Sequence, residues 1–124
     1  MNTAARLTGI RESLYAMLDA LEESRRALAR DASLGAREKK AKREAIRRRR
    51  KKLELQEARI NLAALQRREQ DASLDALIGR LNGAVGEATA EIDRMRRATA
   101  VAGNVTKVLS AATTMLGIVA RIIA

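Results

Sequence analysis

The residues best equipped for chemistry in this chain are cations. Arg47, Arg48, Arg49, Arg50, Lys51 and Lys52 stand consecutively, with Arg43 one helical turn before them. Guanidinium and ammonium groups bind phosphate and carboxylate through charge-assisted hydrogen bonds, so such a run suits an anionic surface. Catalysis has far fewer candidates. The sequence contains no histidine and no cysteine, which removes the usual general base near neutral pH and most transition-metal ligands. Serine, threonine, lysine, aspartate and glutamate remain, but no nucleophile stands beside a base in a way that differs from a solvated helix face. Gly79, Gly83 and Gly86 follow neither the Walker nor the dinucleotide spacing. The expectation is a non-enzymatic protein with no catalytic residue, no metal site and no cofactor.

The charge is concentrated in one segment. Residues 1–36 carry five basic and five acidic side chains, and residues 71–98 carry four and five. Residues 37–70 carry fourteen basic and five acidic, and residues 99–124 add only Lys107 and Arg121. Nearly all of the net +10 therefore sits in the middle of the chain. Six cations in a row pass more than once around a helix, so no orientation hides them all from solvent or from an anionic partner.

The elements that must carry these residues are helical. The 124 residues contain no proline, tryptophan or phenylalanine and one tyrosine, Tyr15, while alanine, leucine, arginine and glutamate are abundant. Those are the strongest helix formers. Leu7, Ile10, Leu14, Met17, Leu21 and Leu28 recur at three- and four-residue spacing and predict a first helix over about 3–30. Asp31 to Gly35 supply capping groups and a turn. A basic helix is expected over about 36–70, with a thin seam of Ile46, Leu53 and Ile60. A third follows over about 72–97, where Leu74, Ile78, Leu81, Val85, Ala88, Ile92 and Met95 alternate by four and three. That regularity predicts a helix running through Asn82-Gly83. After Met95 the phase slips, which reads as a local change in winding, and the last helix covers about 99–124. The tetrapeptide Asp31 to Leu34 recurs as Asp71 to Leu74 and reads as helix punctuation. The fold class is all-α: one domain, an elongated helical hairpin or a bundle of three to four helices with coiled-coil-like seams.

Residues 99–124 contain no acid. Their apolar side, formed by Val101, Val105, Val108, Leu109, Ala112, Met115, Leu116, Val119, Ile122 and Ile123, reads as an assembly or membrane face. The uncharged run Val108 to Ala120 is shorter than the roughly twenty residues a bilayer span needs. Burying Lys107 in lipid would cost about 2.5–3.5 kcal/mol, so a full span is disfavoured. The N-terminus lacks the apolar core of a secretory signal. A cytoplasmic protein, a membrane-peripheral one, or one exported without a signal peptide would all fit.

Long thin seams with almost no aromatic bulk bury little area per residue, which favours a homo-oligomer. For the basic run the plain alternative is a solvated surface partly answered by Asp19, Glu22 and Glu23 of the first helix. Exposed ion pairs contribute only about 0–1 kcal/mol each, too little to account for that charge excess. The favoured reading is a self-associating helical assembly protein that engages an anionic surface through Arg43 and Arg47 to Lys52. It would sit on an anionic lipid membrane through the last helix or form part of a secretion-type assembly. The alternative is sequence-independent binding of double-stranded nucleic acid, and an acidic protein surface is a further candidate partner. With no aromatic residue among the cations, base stacking on a single strand has no support. Nineteen arginines against six lysines, with abundant alanine, fit a GC-rich bacterial genome.

Overall fold

The computed structural model describes residues 2–68 and 70–124, and the chain is all-helical, with no strand among those residues. Its five helices are α1 (Thr3–Arg30), α2 (Ala36–Arg59), α3 (Leu62–Gln66), α4 (Ser73–Met95) and α5 (Ala102–Ile123). The apolar stripes point inward and form one core. Within it α1 packs on α2 and α4, α5 packs on the same two, and the short α3 rests on α1 and α5.

Cross-helix contacts fix the directions. Arg50 to Glu22 and Tyr15 to Glu57 pair rising numbers with falling ones, so α1 and α2 are antiparallel. Arg6 to Asp75 and Ser13 to Asn82 keep a constant offset, so α1 and α4 are parallel. The seam of α2 behaves as its heptad spacing predicts, with Ile46, Leu53 and Ile60 all buried. Leu53 is fully enclosed, and Leu53→Ala is expected to lower the unfolding free energy by about 2–5 kcal/mol, measured by urea denaturation with an unchanged m-value.

Two boundaries differ from the sequence reading. The basic helix does not continue to residue 70: Ile60 leaves helical geometry (φ −74°, ψ 125°) and Asn61 starts α3, its side chain accepting a hydrogen bond from the Ala64 amide at 2.9 Å. The Ile60 carbonyl, freed from the helix ladder, accepts instead from the Arg11 guanidinium at 3.2 Å. Asparagine competes for backbone groups in this way, and the break keeps Ile60 inside while turning the chain towards α4. Glu69, within that expected span, lies outside the described residues.

The slip after Met95 is the second difference, because it is a reversal and not a change in winding. The amides of Arg97 and Ala98 bond three residues back, to the carbonyls of Arg94 and Met95, tightening and ending α4. The chain then doubles back, and α5 packs along α4. Asn82-Gly83 lies inside a continuous α4, as expected.

The repeated Asp-Ala-Ser-Leu tetrapeptide forms the same local structure twice. Asp31 Oδ1 accepts from the Ser33 amide (2.8 Å) and hydroxyl (2.5 Å), and Asp71 Oδ1 accepts from the Ser73 amide (2.9 Å) and hydroxyl (2.6 Å). The second oxygens then diverge. Asp31 Oδ2 reaches across the fold to the Val101 amide at 2.9 Å, anchoring the start of α5, whereas Asp71 Oδ2 takes Arg68 at 3.1 Å. Both carboxylates titrate below their ordinary value of 3.8. For Asp31 the causes are chiefly the Ser33 hydroxyl and then the Val101 amide. For Asp71 they are the Ser73 hydroxyl and amide and then Arg68, which bring it to about 2.

A carboxyl depressed in the folded state stabilises it above the unfolded value and loses that contribution as pH falls towards the folded one. The thermal midpoint is therefore expected to be flat between about pH 7 and 5 and to fall below about pH 4. The Asp31→Asn/Asp71→Asn variant should start lower at neutral pH and fall less steeply in acid. Parallel wild-type and variant curves would remove these two carboxylates as the cause.

Candidate anion-binding face

The basic run divides according to its position around α2. The seam Ile46, Leu53 and Ile60 faces the core, and the residues flanking a heptad seam lie four before it and three after it. On one flank Lys42, Arg49 and Gln56, seven residues apart, all donate to α5. Lys42 Nζ reaches Thr106 Oγ1 at 2.9 Å, and Arg49 Nε reaches the Leu109 carbonyl at 3.0 Å and Thr113 Oγ1 at 3.1 Å. Gln56 Nε2 reaches the Leu116 carbonyl at 2.9 Å. The acceptors rise in step with the donors, so α2 and α5 are parallel. On the other flank Arg50 donates to Glu22 of α1 at 2.8 Å, and Glu57 accepts from the Tyr15 hydroxyl at 2.8 Å.

Arg49 and Arg50 are thus half-buried staples between helices. Burial, with the nearby charge of Arg48, lowers the pKa of Arg49. Lys39 is half-buried and donates to the Ala29 carbonyl of α1 at 3.4 Å, and the other cations point outward. Arg37, Lys40, Arg43, Arg47, Arg48, Lys51 and Lys52 are exposed, and of these only Arg47 meets a carboxylate among the described residues, Glu44 at 2.9 Å.

Helix α1 does little to answer that charge. Glu22 contacts Arg25 at 2.5 Å, Arg50 at 2.8 Å and Arg26 at 3.4 Å. Its pKa is pulled down first by the hydrogen bond from Arg25, against a burial penalty, and then by the charges of Arg25, Arg50 and Arg26. Glu23 pairs with Arg96, on the far side from α2, at 3.2 Å. Asp19 is exposed and forms no ion pair among the described residues. Of the three acids expected to screen the basic helix, one does so, and it answers one arginine of the run.

The apolar residues of α5 lie elsewhere. Val101, Val105, Val108, Leu109, Ala112, Met115, Val119 and Ile122 are buried, and Leu116 and Ile123 are half-buried against the same core. By length and composition α5 could cross a membrane, but its apolar side is occupied by the rest of the chain. Glu91 closes the α4–α5 hairpin from within. It is buried, receives Arg94, and lies 3.4 Å from Asn104 and 3.7 Å from Lys107. Burial pushes its pKa up, and the hydrogen bond and charge of Arg94, with Lys107 and Asn104, outweigh that and leave it lowered.

The structure brings Arg43, Arg47, Arg48, Lys51 and Lys52 together on one outward face, and assigns Arg49 and Arg50 to the frame. The staples Lys42 and Gln56 and the Asp31 anchor are not among the site residues that the sequence singles out. The first two had a readable signal, their seven-residue offset alongside the seam. Comparison with protein-family models, curated proteins and solved structures finds no match to the chain.

Proposed function

We propose that this chain is a non-enzymatic helical docking domain that binds the phosphate backbone of double-stranded nucleic acid, independently of sequence, through the solvent face of α2. One observation carries the reading. Six of the seven exposed cations from Arg37 to Lys52 have no carboxylate partner among the described residues, while the cations that contact other helices are the ones nearest the core. Helix α2 is about 36 Å long at 1.5 Å per residue, and cations along such a rod displace the condensed counterions of a duplex. Arginine predominates on the face, and its forked donors match phosphate oxygens in pairs.

In this reading the frame is a bundle of four long helices whose heptad-spaced stripes pack knobs into holes. The stripes that the sequence offers to other copies, or to lipid, close on one another within the chain. Among the described residues the exposed large apolar side chains are Tyr15, Leu55 and Leu62. Docking is then a matter of charge and needs neither a second copy nor an inserted α5. Fluorescence anisotropy with a short duplex, beside co-sedimentation with anionic and neutral vesicles, tests it. Duplexes of unrelated sequence are expected to bind alike. Binding to anionic vesicles with no binding to duplex would overturn the nucleic-acid reading in favour of a membrane surface.

A further inference from the structure

A groove of about 490 Å³ lies along α2 where Arg25 of α1 meets it, and it takes in Arg43, Arg47 and Lys51 of the face described above. Six cations line it, Arg25, Lys40, Arg43, Arg47, Arg50 and Lys51, against two carboxylates, Glu44 and Glu54. Glu44 is already engaged by Arg47. Glu22 pairs with both Arg25 and Arg50.

The other four cations form a line. Lys40, Arg43, Arg47 and Lys51 follow one another at steps of three, four and four residues, one per helical turn, and extend over about 16 Å of the axis. A single phosphate could touch two of them at once. An anion that engages the whole line must be a chain with a charge at short, regular intervals. The wall consists of the aliphatic stems and charged heads of these side chains, with Ile46 beneath. The lone aromatic residue of the protein, Tyr15, is not part of it, so nothing there would stack on a base.

From this arrangement we infer that the α1–α2 groove is a binding site for linear inorganic polyphosphate. Arg43, Arg47 and Lys51 serve both the groove and the outward face, while polyphosphate binding in the groove does not require duplex binding. Arg48 and Lys52, which do not line the groove, separate the two.

The test is isothermal titration of the full chain with long-chain inorganic polyphosphate at about 0.15 M salt, where diffuse attraction is largely screened. Orthophosphate and a single-stranded oligonucleotide of matched charge serve as the other arms. Polyphosphate is expected to bind, and orthophosphate to bind at least roughly 100-fold more weakly, since it replaces several phosphate contacts with one. Lys40→Glu/Arg43→Glu, at two exposed positions with no ion-pair partner among the described residues, is expected to weaken polyphosphate roughly 10-fold or more, with an unchanged circular dichroism spectrum. Arg48→Glu/Lys52→Glu should weaken it no more than about threefold. Equal losses in the two variants would show attraction to the whole basic helix and overturn the site. So would binding of the oligonucleotide as tight as that of polyphosphate, or no binding of polyphosphate at all.

Discussion

Replacing Arg47, Arg48, Lys51 and Lys52 together by glutamine is expected to weaken duplex binding by roughly 10²- to 10³-fold at about 0.1 M salt while leaving the fold intact. Each phosphate contact contributes about 0.9 to the dependence of log K on log salt, so four cations account for an effect of that size even if some engage only partly. The four are exposed, and the one ion pair they make among the described residues, Arg47 to Glu44, joins neighbouring turns of one helix. Surface pairs of that kind contribute about 0–1 kcal/mol. Arg49 and Arg50 are left in place because they hold α2 to α5 and α1. A variant lacking all six cations would confuse lost binding with a loosened fold. If the four-residue variant binds duplex as the wild type does, the outward face is not the docking surface.

Val108→Asp is expected to abolish the folded state. Val108 is fully enclosed within the core. An unpaired carboxylate there carries an effective penalty of several kcal/mol, comparable with the roughly 5–15 kcal/mol that holds an ordinary domain together. Loss of the far-UV helical signal at 25 °C is the expected observation. Thr114→Asp, on the exposed side of the same helix, should change stability by no more than about 0.5 kcal/mol. If α5 instead served as an assembly or membrane face, Val108→Asp would leave a helical monomer that has lost only its association. Light scattering beside the spectrum separates the two outcomes, and the wild type is expected to scatter as a single 13.6 kDa copy.

Much of this fold is legible in the sequence because helix periodicity is a strong local signal. The stripe from Leu7 to Leu28 and the seam Ile46, Leu53 and Ile60 are buried as their spacing predicts, and α4 runs through Asn82-Gly83. The seam of α4 is only partly so. Ile78 and Val85 are half-buried, while Leu77 and Ala84 are fully inside, because α4 faces two neighbouring helices and needs a wider stripe than a two-helix seam. What periodicity does not reveal is where a stripe finds its partner. The α5 stripe reads equally well as an outward face or as a core, and only the reversal between Met95 and Ala102 brings it inside. The end of α2 and the start of α5 resist local reading for a related reason. Both depend on which backbone groups find alternative partners, the Ile60 carbonyl on Arg11 and the Val101 amide on Asp31, and these contacts span 49 and 70 residues.

The candidate face was legible as a block but not in its parts. Six consecutive cations must surround the helix, yet nothing local separates Arg49 and Arg50 from Arg47, Arg48, Lys51 and Lys52. Their positions beside the seam supply the distinction, since Arg49 and Arg50 stand three and four residues after Ile46. Glu23 shows the converse: its charge and location on α1 suggest a partner in the basic run, and its register gives it to Arg96 of α4 instead.

The salt dependence of duplex binding reports how many cations of the α2 face meet phosphate. With five or six outward cations on phosphate, log K is expected to fall linearly with log salt at a slope of about −4 to −6. A slope near zero, or no binding at low salt, would contradict docking through that face.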